Sequence, residues 1–439
     1  MFKVVSNCWA LFLGLGLIML GNGLQGSLLG LRASLEGFPI SVTGLVMSGY
    51  FLGLVVGSTI VPKIVNRVGH IRSFGALASL ASTSILVHVV FVDPWVWWAM
   101  RLTTGFAYAG LYIVAESWLN DMADNETRGQ LLSFYMLISL GGMAGGQFML
   151  NIASPEGSTL FILISVLVSV AVIPILVSVS TAPAFETTES VGVFQLFRVS
   201  PLGVFGIFAA GISAGSIFGV GTVYASSIGL DVQQVSFFMG SLIIGGIIMQ
   251  FPLGRISDVI GRRWVIIMTC ALGALVSSLA SVTTVGGWHL FGLIALIGGL
   301  SWPLYSLCVA HTNDYLNPSQ MVAASGALVL VNGLGAAVGA PITAFAMEFL
   351  GPQSFYQVNG AALGLVCLFA IWRATRRRAV APAEQGEFVS MPPSPISAVM
   401  NPELELASIE NSSSNNSEAI YASFEELVDD LSSDSQKSH

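Results

Sequence analysis

The sequence predicts an all-α, multi-pass membrane protein whose twelve transmembrane helices form two pseudo-symmetric six-helix bundles. Three observations lead to this fold class. Of 439 residues, 54% are hydrophobic and only 9% are charged, whereas a soluble domain carries about 25% charged residues. Apolar runs of the roughly 20 residues that cross a bilayer recur along the chain. The second half of the chain also repeats features of the first at a fixed spacing.

Twelve apolar runs are predicted to cross the membrane, six on either side of a polar stretch. They lie at 8–31, 41–61, 73–92, 95–117, 129–150, 158–178, 201–224, 235–253, 264–283, 288–310, 321–349 and 355–372. No signal-peptide cleavage site follows the first run, so we expect it to remain as a helix. The predicted units are an N-terminal bundle, a cytoplasmic linker, a C-terminal bundle and an acidic, mostly disordered cytoplasmic tail, at 1–178, 179–200, 201–378 and 379–439.

Lysines and arginines predict the orientation. Thirteen of them fall in segments on one side of the predicted membrane, and Arg32 alone falls on the other. Because cytoplasmic loops are enriched in these residues, we expect both termini to be cytoplasmic and the protein to lie in the inner cell membrane. Acidic residues follow a different pattern, since residues 1–378 have a net charge of +2 and residues 379–439 one of −10.

The sequence gives no support to enzymatic classes of protein. The four cysteines all fall inside apolar runs, which argues against a disulfide framework or a metal site. The polar segments contain no nucleotide-phosphate loop and no catalytic triad. We therefore expect no enzyme activity, no cofactor, no metal and no nucleic-acid partner. The expected partners are the lipid bilayer and a small-molecule solute, with protons as a coupling ion.

The two halves of the chain are related by an internal repeat. An offset of 192 positions aligns their second and third spans, and one further residue of offset aligns later spans. The matched pairs are Gly53 and Gly245, Asn66 and Asp258, Gly69 and Gly261, Asp121 and Asp314, Gly142 and Gly335, and Gly146 and Gly339. Related halves in the same orientation predict a two-fold axis along the membrane normal, with a cavity where the halves meet.

A glycine, an aspartate and paired arginines follow the eighth predicted span, as Gly254, Asp258, Gly261, Arg262 and Arg263. This pattern resembles the signature loop of the major facilitator superfamily, and the resemblance covers residues 1–378. The first-half copy is degraded, because it keeps Arg67 and Gly69 but has Pro62 and Asn66 in place of glycine and aspartate. The run at 116–121, followed by 126–129, is similar to the YcaD-type branch of this superfamily. The resemblance implies the class of protein and not its cargo.

Asp258 is predicted to take part in a cytoplasmic latch. In a pseudo-symmetric arrangement it faces the start of the fifth span at Gly129, where unpaired amides and the helix dipole favour an anion. Arg128 and Asp121 would complete the charge network. Such a latch would hold the cytoplasmic side shut in one state and break in the other. The alternative is that Asp258 and its arginines only set the membrane topology.

Arg101 lies inside the fourth span, where a cation needs a partner or a water-filled cavity and is therefore a functional candidate. The segment at 101–105 also resembles the span-four arginine motif of proton-coupled members of the superfamily. Tyr108 and Tyr112 share the helix face of Arg101. The alternative is that the long side chain reaches back to the outer interface.

Glu116 lies in the last turn of the same span. A carboxyl group near apolar surroundings is suited to taking up a proton. Glu116 is therefore a candidate for coupling transport to protons. The alternative is a solvated charge at the helix end that pairs with Arg128.

Uncharged polar side chains at interior depths are the remaining candidates for binding a solute. They are Asn22, Gln25, Gln147, Gln250 and Asn332. Bonding between helices without a ligand also explains each of them, and for any one residue taken singly it is the favoured explanation. Four aromatic residues are further candidates to line the cavity, namely Tyr50, Tyr224, Trp302 and Tyr305, and three histidines are expected at the interfaces, namely His88, His289 and His311.

The tail contains one segment that differs from the surrounding polar sequence. Ile420, Phe424, Leu427 and Leu431 repeat at helical spacing between acidic residues. This pattern is typical of a short helix, near 420–431, that folds on a protein partner. The alternative is a featureless tail.

The sequence therefore favours a secondary transporter that moves a small solute by alternating access with proton coupling. Two alternatives stay open. One is an exporter of amphipathic compounds of the drug/proton antiporter type. The other is a non-transporting membrane sensor or scaffold that acts through the acidic tail.

Overall fold

The computed structural model describes residues 8–122, 128–177, 191–283 and 286–376, and in the tail residues 380–381, 385–386, 388 and 423–428. The predicted fold class is confirmed, because the described part is helical, contains no strand, and forms two bundles of six membrane-crossing segments. Eleven helical segments are long and apolar enough to cross a membrane. The twelfth crossing segment, Pro94–Asp121, is equally long and carries Arg101 and Glu116.

The first bundle contains six helices, α1 to α6. Their bounds are Trp9–Leu35, Ile40–Val68, His70–Val90, Pro94–Asp121, Arg128–Met149 and Thr159–Val177. Helix α4 shows why such a segment begins where it does. Asp93 accepts hydrogen bonds from the Trp95 and Val96 amides, and Pro94 occupies the first turn, where its missing N–H is not needed.

The second bundle follows a short helix, α7, at Val193–Val199. Its helices α8 to α14 are Pro201–Ser227, Val232–Ile260, Arg262–Val282, Trp288–Ser301, Leu304–Asn313, Pro318–Leu350 and Ser354–Arg376. The predicted tenth span is not one continuous helix, since it is divided into α11 and α12 at Trp302 and Pro303. Proline lacks the amide hydrogen that a continuous helix needs at this point. A tail helix, α15, covers residues 423–428.

Residues 254–260, predicted as a loop, form the last turns of α9 instead. The chain turns only at Gly261, which has φ of 101°, and α10 starts at the next residue. Gly69 makes the equivalent turn between α2 and α3, with φ of 94°. This left-handed backbone is open to glycine and strained for other residues. Both signature segments are therefore helical, and their charged side chains are held on a rigid element.

The internal repeat is present in the packing. Helices α1, α2 and α3 match α8, α9 and α10 in length and are offset by 192 residues. A Cβ at Gly53 would collide with the carbonyl oxygen of Leu102, and one at Gly245 with that of Ala295. Glycine at these positions lets the helix backbones touch, as small residues do in membrane bundles. The two bundles are thus closed by the same glycine contacts.

The halves contact each other mainly at one end of the molecule. We call the end that holds Lys63, Arg67, Arg262 and Arg263 the basic end, and the other the far end. At the far end the Ser41 amide donates to Glu348 over 2.6 Å, and Asn151 donates to Ser236 over 3.1 Å. The rings of Phe148 and Phe237 also meet there, with centroids 5.7 Å apart. These contacts join the two halves across the far end.

The described part of the tail packs on the C-terminal half. The Phe424 side chain of α15 is fully buried among residues of that half, and Leu427 and Val428 pack beside it. Gln320 of α13 donates a hydrogen bond to Ser423 over 2.8 Å. Ile420 and Leu431, the outer residues of the predicted helix, lie outside the described residues. The helical segment is therefore not featureless, and its apolar face contacts the chain's own second bundle.

Candidate functional site

A cavity of about 260 Å³ lies where the two halves meet. Side chains from α1, α2, α4 and α5 line one wall, and side chains from α8, α9, α11, α12 and α13 line the other. Most of the lining is apolar, including Phe51, Met143, Phe218 and Trp302. Arg101 and Glu116 are the charged residues among those that line it.

Arg101 is buried against this cavity, with 3% of its surface exposed. Its guanidinium carbon lies 4.5 Å from the centre of the Tyr50 ring, which is cation–π geometry. Gly49 of α2 allows this approach, because a Cβ there would lie 2.7 Å from the Trp98 carbonyl oxygen and 3.3 Å from the Arg101 Cβ. The alternative of a side chain reaching the interface is wrong, since Arg101 faces inwards.

A cluster of tyrosines surrounds Arg101. Asn22 donates to the Tyr112 hydroxyl over 2.8 Å and to the Tyr50 hydroxyl over 3.2 Å. Tyr108 packs edge-to-face on both rings, with centroids 6.2 Å from Tyr50 and 6.0 Å from Tyr112. Asn22, Tyr50 and Tyr112 line the cavity, whereas Tyr108 is fully buried behind them. The structure thus brings four of these residues together at the wall, with Tyr108 as their support.

Glu116 lies on α4 nearer the basic end, with no exposed surface. The Tyr135 hydroxyl of α5 donates to it over 2.7 Å, and both residues line the cavity. Glu116 is therefore not solvated. The Arg128 side chain lies outside the described residues, so the predicted pairing of Glu116 with Arg128 stays a prediction. Tyr135 was not foreseen, because nothing in the sequence pairs a tyrosine of α5 with a carboxyl group of α4.

Some of the asparagine and glutamine residues predicted to bind a solute line the cavity, and others are buried behind its wall. Asn332 lines the cavity, as does Gln147, which donates to the Gly23 carbonyl over 2.9 Å and accepts from Ser27. Gln250 donates to Ser306 over 3.2 Å and lies behind the wall. Gln25 is buried one turn from Gly21, on the α1 face that packs against α6. Their roles towards a solute stay predictions.

Asn359 is a polar residue of α14 that the sequence reading did not single out. It is buried, accepts a hydrogen bond from Ser213, and donates to Ser277 over 3.1 Å and Ser301 over 3.4 Å. Ser213 and Ser301 line the cavity. The sequence feature that could have identified Asn359 is a carboxamide side chain within an apolar span, because such a group needs hydrogen-bond partners. Asn359 links the α8 and α11 parts of the wall.

The aromatic and histidine expectations are met in part. Tyr50, Trp302 and Tyr305 line the cavity, whereas Tyr224 stacks on Phe355 away from it, with centroids 4.7 Å apart. His88 is not interfacial, since it is fully buried and bonds the Ser84 carbonyl over 2.8 Å. The reason is Trp97, which packs edge-on against His88 and covers it.

The signature segment of α9 and α10 makes contacts within its own half and with the tail. Arg262 pairs with Asp314 over 3.0 Å, with both side chains at most 2% exposed, and approaches Asp258 at 3.7 Å. Asp258 also accepts from the Phe388 amide over 3.3 Å. Arg263 donates to Tyr315 over 3.3 Å. Arg128 and Gly129, the predicted partners of Asp258 at the start of α5, lie outside the residues whose side chains are described, so the latch stays a prediction.

The first-half copy of that segment is arranged differently. Asn66 and Arg67 are exposed, and Asp121 is exposed at the end of α4. His70, at the position of Arg262, bonds Ser117 over 2.9 Å.

Comparisons with known proteins agree with this architecture. The family profile described as Major Facilitator Superfamily matches residues 203–409, and the one described as Sugar (and other) transporter matches residues 31–189. An uncharacterized MFS-type transporter of Yersinia enterocolitica is 27% identical over 356 residues, covering 80% of this chain and 92% of that protein. The uncharacterized MFS-type transporter YcaD of Escherichia fergusonii is 25% identical over 365 residues, covering 83% and 94%.

Solved structures show the same fold. The crystal structure of the nucleoside transporter NupG superposes with a TM-score of 0.70 at 15% identity, over 85% of this chain and 99% of that one. A bacterial homologue of the human lysosomal transporter Spinster, in an inward-facing and unoccupied conformation, gives a TM-score of 0.65 at 11% identity, over 85% and 95%. The two family profiles and the curated MFS-type relatives, which cover most of the chain, show that this chain belongs to the major facilitator superfamily.

Proposed function

We propose that this protein is a secondary transporter that carries a small solute across the inner cell membrane by alternating access, coupled to protons. The observation that carries the proposal is the cavity shared by both halves, because a solute bound there would contact both moving parts. The contacts that join the halves concentrate at the far end. With the basic end cytoplasmic, as its arginines indicate, this is an inward-open arrangement.

The far-end contacts combine polar groups with close helix packing. They include the two hydrogen bonds and the pair of aromatic rings described above, and the packing of α2 on α13, where a Cβ at Gly44 would collide with Ala344. Each hydrogen bond is worth about 1 kcal/mol net, and the helix packing must also separate when the halves rock apart. The latch between Asp258 and the start of α5 would replace them when the basic end closes.

Proton coupling is assigned to Glu116 and Tyr135. Glu116 is a buried carboxyl group on the cavity wall, with a hydroxyl donor 2.7 Å away. A carboxyl group that faces the cavity beside a hydroxyl donor is in a position to take up a proton from the cavity in one state and release it in the other.

The test uses purified protein in sealed vesicles with an imposed pH gradient, and the solute is first selected by thermal-shift screening. Wild-type protein should drive uptake that depends on the gradient. Glu116→Gln should flatten the pH dependence, while Glu36→Gln, a carboxylate paired with Arg32 outside the cavity, should not. If the Glu116→Gln variant keeps its proton coupling, Glu116 is not the coupling residue. If the wild-type protein shows no flux of the solute, the proposal of transport is wrong.

Two observations bear on the alternatives. The mostly apolar lining suits an amphipathic solute, so an exporter of such compounds remains the second transport candidate. The contact between α15 and the second bundle is the feature that a sensor acting through its tail would need. A sensor would bind the selected solute without flux, which the same vesicles measure.

A further inference from the structure

Arg101 is a buried cation without a carboxylate partner in the described part of the chain. The other charged residue of the cavity, Glu116, lies fifteen positions along the same helix, roughly 22 Å away. The Tyr50 ring is the group that faces the guanidinium. Removing a cation from water carries a penalty that an aromatic face offsets only in part. The cavity wall therefore holds a positive charge that a ligand can neutralise.

The surroundings of Arg101 narrow the chemistry of such a ligand. Asn22 uses its N–H donors on the hydroxyl oxygens of Tyr50 and Tyr112, so Arg101 is the charged donor that this polar patch presents to the cavity. Beyond this patch the wall is apolar, with Phe218 and Trp302 facing it from the other half. One cation matches a single carboxylate, which arginine binds through two parallel hydrogen bonds.

We infer that the cavity binds a small monocarboxylate with an apolar body, its carboxylate on Arg101 and its body against Phe218 and Trp302. The inference rests on the proposed function, since it names the substrate class of that site. A second cation is absent from the described lining, which disfavours a doubly charged phosphate. The cavity volume of about 260 Å³ limits the ligand to a small molecule.

Binding to the purified full-length protein tests this directly. The probes are benzoate, phenylacetate and octanoate, each compared with its neutral amide, by calorimetry and thermal unfolding. At least one acid should bind and its amide should bind at least about tenfold more weakly, because the amide lacks the charge. Arg101→Gln should weaken binding of the acid by a similar factor, and Arg101→Lys should retain part of the affinity for the acid. Arg255→Gln is the matched control, since Arg255 also stacks on a ring, Phe251, but lies outside the cavity.

The inference is overturned when no acid binds, when the amides bind as tightly as the acids, or when Arg101→Gln leaves the affinity unchanged. The proposed function fails separately. Binding of an acid without flux in vesicles would contradict transport and leave the substrate class standing. Flux of a neutral solute, with no acid bound, would contradict the substrate class and leave transport standing.

A second inference comes from independent contacts at the basic end. The Phe388 ring lies against Gly254, where a Cβ would collide with it, and the Phe388 amide donates to Asp258. Arg262 donates to the Gly386 carbonyl. These two tail residues therefore cover the face of the signature segment that the latch would use. We propose that Gly386 and Phe388 hold the basic end open by occupying this face.

Spin labels across the basic end measure this without a known solute. The labels are placed at Gln130→Cys on α5 and Val259→Cys on α9, both exposed, in a chain whose four native cysteines are buried. Phe388→Ala, or deletion of residues 379–439, should increase the fraction of short distances at least about twofold, since the closed state no longer competes with the tail. Phe194→Ala, an exposed phenylalanine of α7, is the control. An unchanged distance distribution in both tail variants overturns the proposal.

Discussion

The two halves of this protein share their packing but not their chemistry. The same glycine contacts close both bundles, yet the charges of the cavity belong to the first half alone. When α4 is aligned with α11 and α12 through the internal repeat, Arg101 corresponds to Ile294 and Glu116 corresponds to Val309. Ile294 and Val309 are both buried. Tyr112 corresponds to Tyr305, and both line the cavity. The first half therefore supplies the charged groups and the second half an apolar wall.

The signature segments show the opposite division. The second half holds a buried ion pair, Arg262 with Asp314, where the first half has a hydrogen bond between His70 and Ser117. Asp258 in the second half corresponds to Asn66 in the first. Duplicated packing can be retained while each copy loses different polar groups, because the glycine contacts do not depend on them. Under the proposed function, the first half would supply the groups that bind the solute, and the second half the charges of the latch.

The largest expected effect comes from breaking the buried ion pair. Arg262→Gln removes the cation that lies 3.0 Å from the buried Asp314 carboxylate, and should lower the free energy of unfolding by about 3–5 kcal/mol. His70→Gln should lower it by only about 1 kcal/mol, since a neutral hydrogen bond is lost. Thermal unfolding in detergent measures both. Adding Asp314→Asn to Arg262→Gln should restore part of the lost free energy of unfolding. Equal losses in Arg262→Gln and His70→Gln would contradict the division between the halves.

An intermediate effect is expected where the halves are alike. Gly105→Ala and Gly298→Ala each place a methyl group against a backbone carbonyl, of Tyr50 and Leu242 respectively. Each should destabilise its bundle by about 1–3 kcal/mol through overpacking. Gly292→Ala is the control, because no atom lies within 4 Å of its Cβ position. The shared packing would be refuted by a Gly298→Ala variant as stable as Gly292→Ala.

The smallest change in stability is expected at Asp258, whose side chain is 34% exposed. Asp258→Asn should change the free energy of unfolding by about 0.5 kcal/mol or less. Uptake into vesicles should nevertheless fall, because the asparagine cannot form the charged latch. The matched change in the first half, Asn66→Asp, should leave uptake intact. Unchanged uptake by the Asp258→Asn variant, at equal amounts of folded protein, would contradict the predicted latch.

Much of the fold followed from local properties of the sequence. Twelve spans were found because bilayer thickness sets the length of an apolar run, and the repeat was found because glycines recur at one offset. Two local details were missed. The signature segments are helical up to Gly69 and Gly261, since charged residues at a membrane surface do not end a helix. The tenth span breaks at Pro303, which leaves α11 and α12 as separate pieces.

The site was predicted less completely. Arg101, Tyr112 and Glu116 were found because charge and helical spacing on one segment are visible in the sequence. Tyr135 and Asn359 were not singled out, because their partners lie on other helices and no spacing rule connects them. Gln25 and Gln250 were candidates by polarity alone, and the structure places them behind the wall.

The sequence by itself determined that this chain spans a membrane twelve times, that its halves are copies, and which end carries the cations. Hydrophobicity, periodicity and charge bias are properties of single segments, so they can be read without knowing what each segment touches. The tertiary structure alone decided which polar side chains share a wall, that the halves meet at the far end, and that the tail rests on the signature segment. Those facts depend on distances between residues far apart in the chain, which only the packing of the helices sets.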